Sequence, residues 1–146
     1  MLSKRDVLLG GPAAVALAAC GGPPADLQRV ESGTQAPAFS VTDATGAVRT
    51  LAEFAGQNVI LEWTNHDCPY VRKHYTSATM QTLQKDMAKE GIVWLSVISS
   101  PVGEQGHVEG AKANELTKSR DAAPAAVLLD PNSKVAGEAH LVGLAF

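Results

Sequence analysis

Three short apolar runs set the frame of this chain: NVILEW at residues 58–63, IVWLSVI at 92–98 and AAVLL at 125–129. The second is apolar at almost every position, the mark of a strand covered on both faces. Two stretches between the runs have helical character. Residues 69–90 place Val71, Tyr75, Ala78, Leu83 and Met87 near one face, as a single long amphipathic helix would. Pro69 suits the first helical position, where its missing N–H is no loss, and Gly91 ends the run. Residues 108–120 predict a second, more polar helix, after a loop over 99–107 that holds Pro101, Gly103 and Gly106. Strand, helix, strand, helix, strand predicts an α/β domain with parallel central strands and right-handed crossovers. Ahead of it, Phe39-Ser40-Val41-Thr42-Asp43 alternates apolar and polar, Ala44-Thr45-Gly46 forms a turn, and Val48 to Leu51 returns. That pattern predicts an N-terminal β-hairpin.

The 146 residues carry 12 Lys and Arg against 15 Asp and Glu, with no basic run, which argues against a nucleic-acid surface. No stretch of about 18 uninterrupted apolar residues is present, so no conventional membrane span is expected. The first twenty residues, MLSKRDVLLGGPAAVALAAC, run from a basic start at Lys4 and Arg5 through a short apolar segment to small residues. This is the layout of a secretory signal. Leu17-Ala18-Ala19-Cys20 resembles the lipobox of bacterial lipoproteins, which implies cleavage before Cys20, a lipid on its thiol and attachment to the membrane in the cell envelope. An ordinary signal with a chance cysteine is the alternative. Ser3 to Leu8 also resembles a twin-arginine export signal with Lys4 in the first arginine position. Residues 21–37 are rich in Gly, Pro and polar residues without a period and read as a flexible tether. The expected organisation is a signal peptide over 1–19, a lipid-anchored linker over 20–37 and one domain over 38–146.

There are two cysteines, Cys20 and Cys68, which excludes a disulfide framework and a four-cysteine zinc site. Cys68 sits where the first apolar run has ended and the helix begins, in Glu62-Trp63-Thr64-Asn65-His66-Asp67-Cys68-Pro69-Tyr70-Val71-Arg72-Lys73-His74. First-turn N–H groups and the helix dipole favour the thiolate, the nucleophilic form, at such a position. Arg72, one turn on, adds positive charge over the sulfur, while the neighbouring Asp67 opposes it. If Cys20 carries lipid, Cys68 is the one free thiol. Arg72 with Lys73 also fits a plain solvated helix face.

This stretch resembles the redoxin branch of the thioredoxin-like superfamily, which includes the alkyl hydroperoxide reductase/thiol-specific antioxidant (AhpC/TSA) proteins. The strand, loop, Cys-Pro and long-helix order, the WTNHDCPYVRKHY segment and the preceding hairpin carry the likeness, over residues 36–137. It implies a thioredoxin-like fold and a thiol-dependent oxidoreductase with Cys68 as the reacting sulfur. The departures are specific. The second cysteine of Cys-x-x-Cys is replaced by Val71. The threonine and proline that peroxiredoxins place three and seven residues ahead are Asn65 and Leu61, with Thr64 one place off. After Gly137 the chain reads EAHLVGLAF, with no candidate for the family's cis-proline loop, its C-terminal antiparallel hairpin or its last helix. Glu62 holds the offset of the buried proton-shuttling acid of thioredoxins. It fits such a relay, or an edge-facing carboxylate at a strand end. Trp63 suits packing more than substrate contact, and His66 either bonds the thiolate or is an exposed loop histidine.

Three functional readings follow. The first is an envelope antioxidant oxidoreductase without cofactor. Its Cys68 attacks a peroxide or disulfide, and an external thiol or thioredoxin-type reductant completes the cycle. The second is a binding module in which His66, Cys68 and His74 offer ligands to copper. The third is an inactive, truncated product that keeps the signature.

Overall fold

The computed structural model describes residue 33 and residues 36–135. The expected signal, Cys20 and most of the tether therefore lie outside the described residues. So do residues 136–146, on which the reading of an incomplete C-terminus rests.

Five strands form one mixed sheet: β1 (Ser40–Asp43), β2 (Val48–Thr50), β3 (Val59–Trp63), β4 (Val93–Ile98) and β5 (Ala126–Leu129), in the order β2-β1-β5-β4-β3. β3, β4 and β5 run parallel, as the apolar runs predict, and the β1–β2 hairpin joins β5 antiparallel through β1. A short 3-10 turn, Leu51–Phe54, follows the hairpin. The helices named among the described residues are α1 (Pro69–Thr76), α2 (Thr79–Lys89) and α3 (Gly110–Ser119). The fold is thioredoxin-like.

The two faces of the sheet are covered differently. Odd-numbered residues of β3 and β4, with Leu128, pack with Phe39, Val41, Leu51, Phe54 and Val135 into one apolar cluster. On the other face Ile98, Val108, Ala113 and Val127 form a smaller cluster under α3. There α3 meets the hairpin turn closely: a Cβ on Gly110 would lie 2.6 Å from the Ala44 carbonyl oxygen, which accepts 2.8 Å from Asn114 Nδ2.

The single helix expected over 69–90 is two. Ala78 takes a left-handed φ of 58° and separates α1 from α2. The break turns α2 so that Gln81 and Gln84 are its buried residues, not Leu83, which is exposed. Gln81 Nε2 donates 2.8 Å to the carbonyl of Tyr75, which also accepts 3.2 Å from the Ala78 N–H at the break. Tyr75 is buried as the periodicity predicts.

Candidate active site

Cys68 follows β3 by a five-residue step and is the N-cap of α1, with Pro69 at the first helical position. Its thiol is free and half-buried. Its own N–H donates 3.1 Å to Asn65 O, and its carbonyl accepts 3.0 Å from Arg72 N. The strand–loop–helix geometry read from the sequence is present.

The loop ahead of Cys68 is shaped by Asn65. Its Oδ1 accepts the Asp67 N–H at 2.9 Å and its Nδ2 donates 3.2 Å to the Gln105 carbonyl. Gly106, with φ of 88°, lies directly against that amide, and a Cβ there would collide with it. The loop over 99–107 thus props the cysteine loop. His66 Nε2 stands 3.4 Å from Asp67 Oδ2, so the ring meets that carboxylate and not the thiol. Arg72 is exposed on α1, in keeping with the solvated-face reading. Among the described residues no three His, Cys, Asp or Glu side chains converge as metal ligands. His66, Cys68 and His74 are therefore not brought together into the copper site considered above.

Glu62 is the centre of a polar network. Its Oε2 accepts from Trp94 Nε1 at 2.8 Å, Ser96 Oγ at 3.0 Å and Gln84 Nε2 at 3.2 Å. Tyr75 Oη lies 2.9 and 3.2 Å from its two oxygens and also accepts from Gln84 at 3.1 Å. The carboxylate is turned onto buried side chains of β4, α1 and α2 and is itself half-buried. Burial pushes the Tyr75 phenol far above its ordinary value, and the adjacent Glu62 carboxylate pushes it further. Tyr75, Gln84, Trp94 and Ser96 were not singled out from the sequence as site residues. The one available signal was Ser96, the polar position within the apolar IVWLSVI run, which pairs in register with Glu62.

Beside the network an open cavity of about 420 Å³ is lined by Glu62, Trp63, Tyr70, Val71, His74 and Met80, with Tyr75 at its base. Trp63 both packs on the apolar core and lines this cavity, and its Nε1 donates 3.2 Å to Ser99 Oγ. Val71, where a second cysteine would stand, is part of the cavity wall.

The AhpC/TSA family model matches residues 32–144. The chain belongs to the AhpC/TSA family. No curated protein matches it in sequence. Solved structures share its fold at low identity. A hypothetical protein from Sinorhizobium meliloti is 22% identical with a TM-score of 0.64, over 75% of this chain and 58% of that one. A putative thiol:disulfide interchange protein DsbE from Chlorobium tepidum is 20% identical with a TM-score of 0.60, over 80% and 74%. An exposed lipoprotein thioredoxin from Streptococcus pneumoniae is 23% identical with a TM-score of 0.51, over 68% and 70%. The chain spans less than two thirds of the length of the first of these. This AhpC/TSA protein carries its cysteine at the start of α1 without a partner cysteine in the same helix.

Proposed function

We propose that the protein is a one-cysteine thiol oxidoreductase of antioxidant type, acting through Cys68. The observation that carries this reading is a free, half-exposed cysteine at the N-cap of α1 in an AhpC/TSA chain. With a peroxide, the thiolate sulfur attacks one peroxide oxygen and the O–O bond breaks. The sulfur becomes a sulfenic acid, and an alcohol or water leaves with the proton. With a disulfide, the sulfur forms a mixed disulfide and one thiolate leaves. With Val71 in the place of a second helix cysteine and Cys20 lipidated as proposed, an external thiol must reduce the sulfenic acid to a mixed disulfide with loss of water. A second thiol then releases Cys68. The apolar wall made by Trp63 at the end of β3 and by Tyr70 and Val71, two and three residues past Cys68 on α1, suits a substrate with an apolar group near the reacting bond.

The lipobox-like Leu17-Ala18-Ala19-Cys20 supports a lipid-anchored protein of the envelope, and the likeness to an exposed lipoprotein thioredoxin agrees with that location. The organisation we propose remains a signal over 1–19, a tether over 20–37 and the redoxin domain beyond. Arg72 is proposed to raise the positive potential near the sulfur from its exposed place on α1.

Peroxide titration of the full chain tests the reading. A dimedone-type probe is expected to label Cys68 once per chain after peroxide, and a Cys68→Ser variant to take no label. Peroxide or a small aromatic disulfide is expected to be turned over with an added monothiol. A folded protein whose Cys68 neither forms a sulfenic acid nor exchanges with a disulfide refutes the proposal.

A further inference from the structure

The loop that delivers Cys68 to α1 is held on its outer side by Asn65 and the Gln105 carbonyl. Its inner side is different. Thr64 Oγ1 and His66 Nδ1 are buried there without a hydrogen-bond partner among the described residues. Both residues line a cavity of about 30 Å³ together with Tyr75, Thr117 and Arg120. The loop's further polar contacts with other elements are made by its main chain, and the Thr64 N–H donates 2.9 Å to the Val97 carbonyl of β4. Arg120 Nη2 donates 3.1 Å to the carbonyl of His66, 54 residues away in sequence.

Arg120 is itself firmly placed. Its N–H closes the end of α3 on Leu116 O at 3.1 Å. Its carbonyl accepts 2.6 Å from Gln81 Nε2, the same amide that ties the end of α1 at Tyr75. Its guanidinium carbon lies 5.1 Å from the centroid of the Tyr75 ring, within cation–π range. The Tyr75 hydroxyl in turn meets Glu62. The guanidinium is thus fixed by the ring below it and presents a charged donor to a loop carbonyl, a stronger bond than a neutral one.

We infer that Arg120 is a positioning residue for Cys68: it latches the 64–68 loop to α1 and α3 and so keeps the cysteine at the helix start. The inference rests on the reading of Cys68 as the reacting thiol, but its test uses the resting protein and needs no turnover.

The test is the rate at which iodoacetamide alkylates Cys68 in the full chain carrying Cys20→Ser. The rate at neutral pH is divided by the rate at a pH where every thiol is ionised. The ratio reports how far the site favours the thiolate and cancels changes in access. Asp67, His66 and Arg72 stay unchanged in every variant. Arg120→Met keeps a chain over the Tyr75 ring but removes the charge and the donor. It is expected to lower the ratio by about fivefold or more, since bonds from charged donors are among the stronger ones. Arg120→Lys, which keeps a charge and a donor but lacks the planar fork that stacks on Tyr75, is expected to fall between Arg120→Met and the parent. A folded Arg120→Met variant with the parental ratio overturns the inference, as does an Arg120→Lys ratio no higher than that of Arg120→Met. If Arg120→Met does not fold, Arg120→Gln and Arg120→Lys are compared. A lower ratio in Gln than in Lys supports the latch, and equal ratios refute it. Lack of turnover in the parent, with the expected change in ratio, refutes the proposed function and leaves the latch standing.

Discussion

Glu62 offers a test in which the size of the effect and its order across two variants are both fixed by the hydrogen-bond pattern. Four donors meet its carboxylate, and Oε2 alone receives Trp94, Ser96 and Gln84. Glu62→Gln can keep its carbonyl oxygen in the Oε2 position. Its new NH2 then faces Tyr75, whose hydroxyl can turn to accept it. What is lost is the charge assistance, worth about 1 kcal/mol. Glu62→Leu is apolar and similar in length, yet it strips every acceptor. Gln84 still reaches Tyr75 Oη, but the Trp94 N–H and the Tyr75 and Ser96 hydroxyls lose theirs. Each buried orphan costs about 1–3 kcal/mol, and the added apolar burial offsets only part. The net loss is on the order of 3 kcal/mol. For a domain of this size 1 kcal/mol moves the unfolding midpoint by about 4–8 °C. Thermal unfolding followed by circular dichroism is therefore expected to show a drop of about 4–8 °C for Glu62→Gln and above ~12 °C for Glu62→Leu. A Leu variant within about 4 °C of the parent refutes the argument, because it shows that these donors need no carboxylate. The mild Gln variant also decides between relay and scaffold. If it folds but turns over poorly, Glu62 moves a proton; if turnover persists, its role is structural.

Two further outcomes follow from local geometry. Ala78→Gly is expected to raise the unfolding midpoint by the equivalent of about 0.5–1 kcal/mol, because a left-handed φ strains alanine and not glycine. In an unbroken helix the same change would cost about 1 kcal/mol, so the sign of the shift checks the break. Asp43 is buried, which alone would raise it, but hydrogen bonds from Thr45, Arg49 and the Thr45 and Ala47 amides hold it down at about 2. A lowered carboxyl contributes stability above its unfolded value of about 3.9, and that stability is lost as the pH falls towards 2. Urea unfolding is expected to show parental stability falling between about pH 4 and pH 2. Asp43→Asn should be less stable near neutrality and flatter across that window. A parallel decline in both proteins refutes the assignment.

The parallel core and the hairpin were legible because apolar runs and alternation report burial directly, and the observed strands fall within a residue or two of the runs. The helix break was not legible. Alanine is the best helix former, and nothing local at Ala78 predicts a left-handed residue. The contacts that go with the break are tertiary: Gln81 bridges the carbonyls of Tyr75 and Arg120, and Gln84 reaches Glu62 and the Ala123 N–H. The place of Cys68 at a helix start was legible for the opposite reason, since a strand end, a short loop and Cys-Pro are contiguous in sequence. The surroundings of Glu62 come from β4, α1 and α2, and only the parallel register that sets Ser96 beside Glu62 unites them.

These unreadable parts belong to one device. The sheet face under α1 and α2 is polar where the opposite face is apolar: Glu62, Ser96, Gln81 and Gln84 stand where aliphatic side chains would bury more area. An apolar layer tolerates small slips, whereas a network of directional bonds fixes one arrangement and is costly to leave half-satisfied. Here the network runs from Trp94 through Glu62 and Tyr75 to the guanidinium of Arg120 and ends on the carbonyl of His66, two residues before Cys68. Under the proposed function, Cys68 needs a fixed position more than the domain needs one more apolar contact. That requirement accounts for polar residues in α2 where a helix chosen for stability alone would carry leucine.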